Sequence, residues 1–262
     1  SHMIGTTGYV KITDFNENTY DQFKKALENL VGNQGAQSLI FDLRNNTGGL
    51  VDPAIKMLDM LLPEGVIATA TYRDGSTEVL GNSDANCIDL PMAVLTNENT
   101  ASAAELFTQA LRDYNVAKSV GTNTYGKGVM QVTHSLKDGS AIRITIAQYN
   151  PPKSANYDGV GIKPDYEVAL TEEQQAIFDT LDENTDPQLK KALEVVNAGA
   201  APSETTPAQT QTTEPTTGKD AETTEPVENK DGESTTPTEG SETSESAEGQ
   251  TDETTKPAEG EE

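Results

Sequence analysis

The chain has 262 residues, no tryptophan and a formal net charge of −25. This acidic balance argues against a nucleic-acid binder, which needs clusters of Lys and Arg to displace counterions from phosphates. No apolar run approaches the roughly 20 residues that a membrane-spanning helix needs. The single cysteine, Cys87, excludes an internal disulfide, and we interpret it as an incidental thiol because it lies in a polar stretch with no histidine partner in view.

Composition divides the chain into three segments. Residues 201–262 contain 17 Asp and Glu against three Lys, and the last aromatic residue of the chain is Phe178. A segment so rich in Thr, Glu, Pro and Ser buries too little apolar surface to offset its ordering entropy, so we predict a disordered acidic tail over 199–262. Residues 1–3, Ser-His-Met, are typical of a tag remnant and are excluded from function. The folded domain is therefore expected over 4–198, a usual size for one domain.

Apolar periodicity predicts alternating strands and helices. In chain order the predicted elements are a strand (8–13), a helix (19–30), a buried strand (38–43), a helix (51–62), a strand (66–72) with a return strand (76–80), a buried strand (91–95), a helix (101–114), a short strand (117–121), a hairpin (129–136 with 141–149) and a last amphipathic helix that opens at Asp186-Pro187-Gln188. The alternation through the first 120 residues predicts an α/β fold with a largely parallel central sheet.

Sheets of this kind carry their functional sites at the carboxyl ends of the strands. Gly48-Gly49 and Ser102 each follow a buried strand and precede a helix. Ser102-Ala103-Ala104-Glu105 is a capping-box pattern, so Ser102 could simply cap the helix. In the functional interpretation, free N–H groups at the helix start stabilise an oxyanion that forms beside Ser102 Oγ. Gly48-Gly49 likewise has two interpretations, a plain turn or a donor of an oxyanion-hole N–H.

A lysine is the most plausible base for such a serine, because the chain has only two histidines. His2 belongs to the first three residues, and strand alternation puts His134 on the face opposite Gln131. Lys127 lies between two glycines that allow close packing, and it acts as a base only if burial disfavours its charged form. Gln131, four residues further on, could orient it. No spacing of histidines and carboxylates suggests a metal site.

Three segments carry a family resemblance: Asp-Leu-Arg-Asn-Asn-Thr-Gly-Gly-Leu (42–50), Thr-Ala-Ser-Ala-Ala-Glu (100–105) and Gly-Lys-Gly-Val-Met-Gln (126–131). They resemble the signature segments of the carboxy-terminal processing peptidases, the tail-specific S41 serine protease family. Segments 159–165 and 186–189 resemble the closing segments of that family. The resemblance spans about 8–196, in the right order.

The resemblance implies a role for each residue. Ser102 matches the nucleophile, Lys127 the general base and Gln131 the residue that positions the lysine. The backbone N–H groups of Gly48 and Ala103 match the oxyanion hole. The implied fold is a crotonase/ClpP-like α/β core, and the implied activity is endoproteolysis near the C-termini of proteins, without metal or cofactor.

The resemblance also implies partners and a location. Members of the family usually carry a PDZ domain before the core, and this chain begins where such a domain would end. The expected partners are protein or peptide substrates with unstructured C-termini, and a homo-oligomer is possible. We expect an extracytoplasmic location, at the cell envelope or secreted. Two rival functions stay open: a catalytically silent binding or scaffold module on the same core, and a crotonase-type acyl-CoA enzyme, which would need carboxylates in the site.

Overall fold

The structure is a computed structural model that describes residues 1–199. Within this range, ten strands form two sheets, and five α-helices pack around them. The strands are β1 His2–Ile4, β2 Thr7–Lys11, β3 Ser38–Asp42, β4 Gly65–Tyr72, β5 Thr77–Ser83, β6 Met92–Thr96, β7 Ala117–Gly121, β8 Val129–Ser135, β9 Ala141–Asn150 and β10 Tyr166–Glu167. The helices are α1 Thr19–Leu27, α2 Val51–Asp59, α3 Ala103–Asp113, α4 Glu172–Ala176 and α5 Pro187–Gly199. Apart from Gly199, the predicted disordered tail lies outside the described residues.

The central sheet has six strands in the order β1-β2-β3-β6-β7-β10, and every neighbouring pair is parallel except β1 with β2. Side chains of β3 alternate between two buried faces. Leu39 and Phe41 belong to a large core with α1, α2 and α3, whereas Ile40 belongs to a smaller core with α5. Because both faces are covered by helices, the strands are almost wholly apolar. The predicted α/β fold with a largely parallel sheet is confirmed.

The second sheet is antiparallel, with the order β5-β4-β9-β8. The sequence predicted these strands and the β8–β9 hairpin, but it did not predict that they form a sheet separate from the central one. Alternating hydrophobicity specifies which face of a strand is buried and not which strand lies beside it. The pairing of β4 with β9, for example Thr69 with Asn150, joins residues about 80 positions apart and is decided only by tertiary packing.

Three element boundaries differ from the prediction. His2 and Met3, interpreted as part of a tag remnant, form with Ile4 an edge strand that pairs with β2. The first helix leaves α geometry after Leu27 and continues as a π-helical turn, Glu28–Asn33. The third helix begins at Ala103 and not at 101, because Ser102 has a positive φ of 58°. None of the helices within residues 1–199 is long and apolar enough to cross a membrane.

A buried ionic network joins the end of β3 to the start of α5. The Arg44 guanidinium donates to both carboxylate oxygens of Asp42, at 2.9 and 2.7 Å, to Asp186 at 2.6 Å and to the amide oxygen of Gln188 at 2.9 Å. Tyr9 donates its phenol O–H to Asp42 at 2.6 Å, and burial together with that carboxylate raises the pKa of Tyr9. The network anchors the chain immediately before the glycine turn at 48–49.

Removing one member of this network should destabilise the fold strongly. We expect Arg44→Met to lower the free energy of unfolding by about 3–5 kcal/mol, because it leaves the carboxylates of Asp42 and Asp186 buried without their cation. The measurement is urea unfolding at neutral pH. The matched control is Lys163→Met, because Lys163 and Glu167 are 4.0 Å apart and mostly exposed. This control should change stability by less than about 1 kcal/mol, and equal losses in both variants would contradict the account.

Candidate active site

Ser102 lies on a sharp turn between β6 and α3, at the carboxyl end of the central sheet. Its φ of 58° and ψ of −121° place it in a region that residues with a side chain rarely adopt, at a cost of about 1–3 kcal/mol. Strained strand-to-helix turns of this kind present a nucleophilic serine in other hydrolase folds. The Glu105 N–H donates to the Ser102 carbonyl oxygen at 2.9 Å, and the Ser102–Glu105 capping box that the sequence predicted is present at this helix start.

The buried carboxylate of Glu105 ties the Ser102 turn to the Lys127 turn. Glu105 has no exposed surface. Its Oε2 accepts from the backbone N–H groups of Ser102, at 2.9 Å, and Lys127, at 2.8 Å. Its Oε1 accepts from the Gly126 N–H at 2.6 Å and the Thr124 hydroxyl at 2.5 Å. Sequence reasoning assigned Glu105 only to a capping box, and nothing in the sequence signals its three donors some 20 residues away.

The Lys127 turn is held from its other side by residues 156–161. Gly128 donates its N–H to Asp158 at 2.9 Å, and its carbonyl accepts from the Asn156 side chain at 2.9 Å. A Cβ on Gly128 would lie 2.3 Å from Asn156 Oδ1, and one on Gly126 would lie 2.7 Å from the Gly161 nitrogen. Both glycines flanking Lys127 are therefore required by close approach, as the sequence suggested.

Gly48 packs directly on the nucleophile turn. A Cβ there would lie 2.8 Å from the Cβ of Ser102 and 3.1 Å from the nitrogen of Ala103, so only glycine fits. Its N–H donates to Asn46 Oδ1 at 2.8 Å. As an oxyanion donor, Gly48 must therefore share or release this bond. The N–H groups of Ala103 and Gly49 have no acceptor within residues 1–199. Gly49, the second residue of the Gly48-Gly49 pair that the sequence singled out, thus also offers an N–H on the same turn.

One cavity of about 590 Å³ gathers the side chains that the sequence singled out. Ser102, Lys127 and Gln131 all line it, and Gly48 forms part of its wall. The remaining lining residues are Phe15, Asn16, Glu17, Thr47, Gly49, Leu50, Val129, Arg143 and Tyr149. Segments separated by up to about 130 positions along the chain therefore converge on one site.

The three side chains share the cavity without hydrogen bonds to one another. Within residues 1–199, Lys127 Nζ makes no hydrogen bond or ion pair, and Gln131 instead donates to Thr145 Oγ1 at 3.3 Å. Loose geometry of this kind is common in catalytic sites without substrate and tightens when substrate binds. The Ser102–Lys127 interaction stays a prediction.

Two tyrosines near Ser102 remain neutral phenols. Burial raises the pKa of Tyr149, which lines the cavity, to about 12. Burial, followed by the nearby carboxylate of Glu105, raises the pKa of Tyr157 well above its usual value, and its O–H approaches the Ser102 carbonyl at 3.4 Å. Neither phenol is suited to act as a base at neutral pH. Among the residues that line the cavity, Lys127 stays the candidate base that the sequence predicted.

The rival residues lie elsewhere. His134 is exposed on β8 opposite Ile142 and does not line the cavity. Cys87 is half-buried and does not line it either. In the part of the chain that the structure describes, no group of three His, Cys, Asp or Glu side chains could hold a metal ion.

Comparison with known families identifies the family to which this chain belongs. The profile described as Peptidase family S41 matches residues 6–168, which is more than half of the chain. The chain belongs to peptidase family S41. The matched range contains the Ser102 turn, the Lys127 turn and the glycine turn at 48–49.

Individual S41 relatives agree with this assignment. The carboxyl-terminal-processing protease of Synechocystis is 35% identical over 196 residues, which are 75% of this chain and 45% of that protein. A protein named "Probable CtpA-like serine protease" from Staphylococcus aureus is 36% identical over 63% of this chain and 34% of its own length. A solved structure, the photosystem II D1 C-terminal processing protease, has a TM-score of 0.59 at 32% identity, covering 75% of this chain and 48% of that one. This S41 chain thus spans less than half of these relatives.

Replacing Glu105 should loosen both catalytic turns. Glu105→Gln keeps the shape but places an NH₂ group against N–H donors, so we expect a loss of about 2–4 kcal/mol in unfolding free energy. Amide hydrogen exchange should accelerate at Gly126 and Lys127. The control is Glu98→Gln, because the Glu98 carboxylate accepts a single exposed hydrogen bond, from Thr122. Unchanged exchange at Gly126 and Lys127 in Glu105→Gln would contradict this role.

Proposed function

We propose that this S41 domain is a serine endopeptidase that cleaves proteins near their C-termini, with Ser102 as nucleophile and Lys127 as general base. The observation that carries the proposal is the single cavity lined by Ser102, Lys127, Gln131 and Gly48, whose two catalytic turns are joined by the buried Glu105. The name of the Synechocystis relative, a carboxyl-terminal-processing protease, supports the choice of substrate.

The proposed reaction proceeds through an acyl-enzyme. Ser102 Oγ attacks the carbonyl carbon of the scissile peptide bond while neutral Lys127 Nζ takes the hydroxyl proton. The oxyanion that forms is stabilised by the N–H of Ala103 and by that of Gly48, which releases Asn46. The tetrahedral intermediate collapses, and Lys127 gives its proton to the leaving amine. A water molecule, deprotonated by Lys127 in the same way, then hydrolyses the ester.

Gln131 has a positioning role in this proposal. It lies on β8, four residues beyond Lys127, and lines the same cavity. When the site closes on substrate, its amide oxygen accepts a hydrogen bond from the lysine and directs the nitrogen lone pair at Ser102. Gln131 can replace its hydrogen bond to Thr145 by one to Lys127 through a change of side-chain rotamer. Such a change is rapid compared with turnover.

The wider setting belongs to the same proposal. The chain spans less than half of its relatives, so those proteins have room for a further domain. We propose that this is a PDZ domain that binds substrate C-termini. The acidic, Thr- and Pro-rich sequence beyond residue 199 is typical of a polar spacer and supports an extracytoplasmic location. Assembly into a homo-oligomer is proposed on the family resemblance alone.

Substitution of the nucleophile or base should abolish cleavage. We expect Ser102→Ala and Lys127→Ala each to lower kcat/KM by about 10⁴-fold or more on an unstructured peptide, with unchanged circular dichroism. Lys127→Arg should be equally inactive, since arginine keeps the positive charge but cannot accept a proton. Matched controls are Ser76→Ala and Lys137→Ala, both exposed and outside the cavity. Full activity in Lys127→Ala would show that another group is the base.

Gln131→Ala should have a smaller effect of a distinct kind. We expect kcat to fall about 10- to 100-fold with KM nearly unchanged, because the lost hydrogen bond orients the base and does not hold the substrate. The control is Gln148→Ala, an exposed glutamine on the neighbouring strand β9 outside the cavity. A change confined to KM would instead assign Gln131 to substrate binding.

The same assays separate the rival functions. A catalytically silent module would bind unstructured peptides without turnover, even in the full-length protein. An acyl-CoA enzyme would bind acyl-CoA in a calorimeter, but Glu17 is the only carboxylate among the residues that line the described cavity. Ser102 and Lys127, which line the same cavity, fit hydrolysis of an acyl group better than enolate chemistry.

A further inference from the structure

We propose that Arg143 determines substrate specificity by recognising a carboxylate on the bound peptide, close to the scissile bond. The carboxylate belongs either to an Asp or Glu side chain or to the C-terminus of the substrate. The inference rests on the proposed peptidase function of the cavity and deepens it, because it names a chemical feature of the substrate that this particular chain selects.

The register of the hairpin directs Arg143 into the cavity. Arg143 on β9 pairs with Thr133 on β8, and Thr145 pairs with Gln131. Directly opposed residues of an antiparallel pair share a face, and residues two apart on a strand share it too. The contacts agree, since Arg143 donates to Thr133 and Gln131 donates to Thr145. Arg143 is therefore on the face that carries Gln131, and it lines the same cavity as Ser102.

The guanidinium of Arg143 is left largely available to a ligand. Arg44 is paired with two buried aspartates, and Arg112 donates two hydrogen bonds of 3.0 Å to Asp165. Arg143, in contrast, makes one long hydrogen bond of 3.4 Å through Nε and no ion pair within residues 1–199. Its two terminal NH₂ groups keep the planar fork that binds a carboxylate with two parallel hydrogen bonds.

The cavity wall lacks the acidic excess of the chain as a whole. The whole chain carries −25, yet the charged residues of the wall are Glu17, Lys127 and Arg143. Arg143 keeps its positive charge throughout the proposed reaction, because a guanidinium is not deprotonated in proteins.

The spacing indicates where the carboxylate lies. Along β9, Arg143 is two residues further from the base of the hairpin than Thr145, the partner of Gln131. Two strand residues span about 7 Å, which is also the repeat of an extended peptide. For a substrate that lies extended along β9, the recognised carboxylate is about two residues away from the substrate position next to Gln131.

The test uses the full chain and quenched fluorescent peptides that differ in one group. One series replaces Glu by Gln at each position around the cleaved bond, and the other compares a free C-terminus with an amidated one. For the preferred position, kcat/KM should be about five- to tenfold higher with the carboxylate, a modest factor because Arg143 is exposed to solvent. The series that shows the difference identifies the source of the carboxylate.

Substitutions assign the preference to its residue. Arg143→Gln should abolish the discrimination while cleavage of the uncharged peptide stays within about twofold, and Arg143→Glu should favour a Lys-containing peptide. Lys137→Gln, which removes an equal charge from the tip of the same hairpin outside the cavity, should keep the discrimination. No discrimination by the unaltered protein, or its persistence in Arg143→Gln, overturns the inference.

Binding measurements separate this inference from the proposed function. Fluorescence anisotropy with Ser102→Ala needs no turnover. Tighter binding of the carboxylate peptide that is lost in the Ser102→Ala, Arg143→Gln double variant supports Arg143 even if no peptide is cleaved, in which case the peptidase proposal alone fails. Equal binding of the charged and uncharged peptides by Ser102→Ala overturns the role of Arg143 even if the protein cleaves both.

Discussion

The carboxylate of Glu105 is the interaction on which the proposed site depends. It is fully buried, and it receives hydrogen bonds from the nucleophile turn and from the turn that carries Lys127. A buried carboxylate is costly unless its oxygens are satisfied. Here four donors satisfy it, so the two turns cannot separate without exposing an unpaired charge in the interior. Glu105 thereby holds together the backbones of the two turns that carry Ser102 and Lys127.

The surroundings of Glu105 hold a strained backbone in place. Ser102 has a positive φ, and Gly48 fits only because it has no side chain to collide with the nucleophile turn. Strain of this kind persists only where the neighbouring structure over-determines it. The parallel sheet, the α3 N-terminus and the Arg44 network, which precedes the glycine turn at 48–49, supply that rigidity.

The part of the site that the β8–β9 hairpin forms is held less firmly. The residues that face the reaction from the β8–β9 hairpin, Gln131 and Arg143, are exposed and make only long hydrogen bonds. The site thus combines a rigid half, which holds Ser102 and the amides, with a more open half that presents Gln131 and Arg143 to the substrate. This division suits a peptidase that must first admit an extended chain and then tighten around one of its peptide bonds.

The sequence by itself determined much of this picture. Alternating apolar patterns identified the strands and helices of the α/β core to within a few residues, because each buried face must repeat with the period of its element. The order of the segments around Gly48, Ser102 and Lys127 carried the family resemblance that the S41 match confirmed. The sequence also predicted close packing at the glycines that flank Lys127, and residues 156–161 of the folded chain approach them closely.

Tertiary structure alone decided the rest. The separate antiparallel sheet, the four donors of Glu105 and the placement of Arg143 in the cavity all depend on contacts between residues far apart in the chain. Periodicity determines which face of a strand is buried, but not which distant strand or turn lies against it. For the same reason the sequence could name the Gly48 N–H as a donor, whereas only the folded chain revealed that this N–H already donates to Asn46 Oδ1.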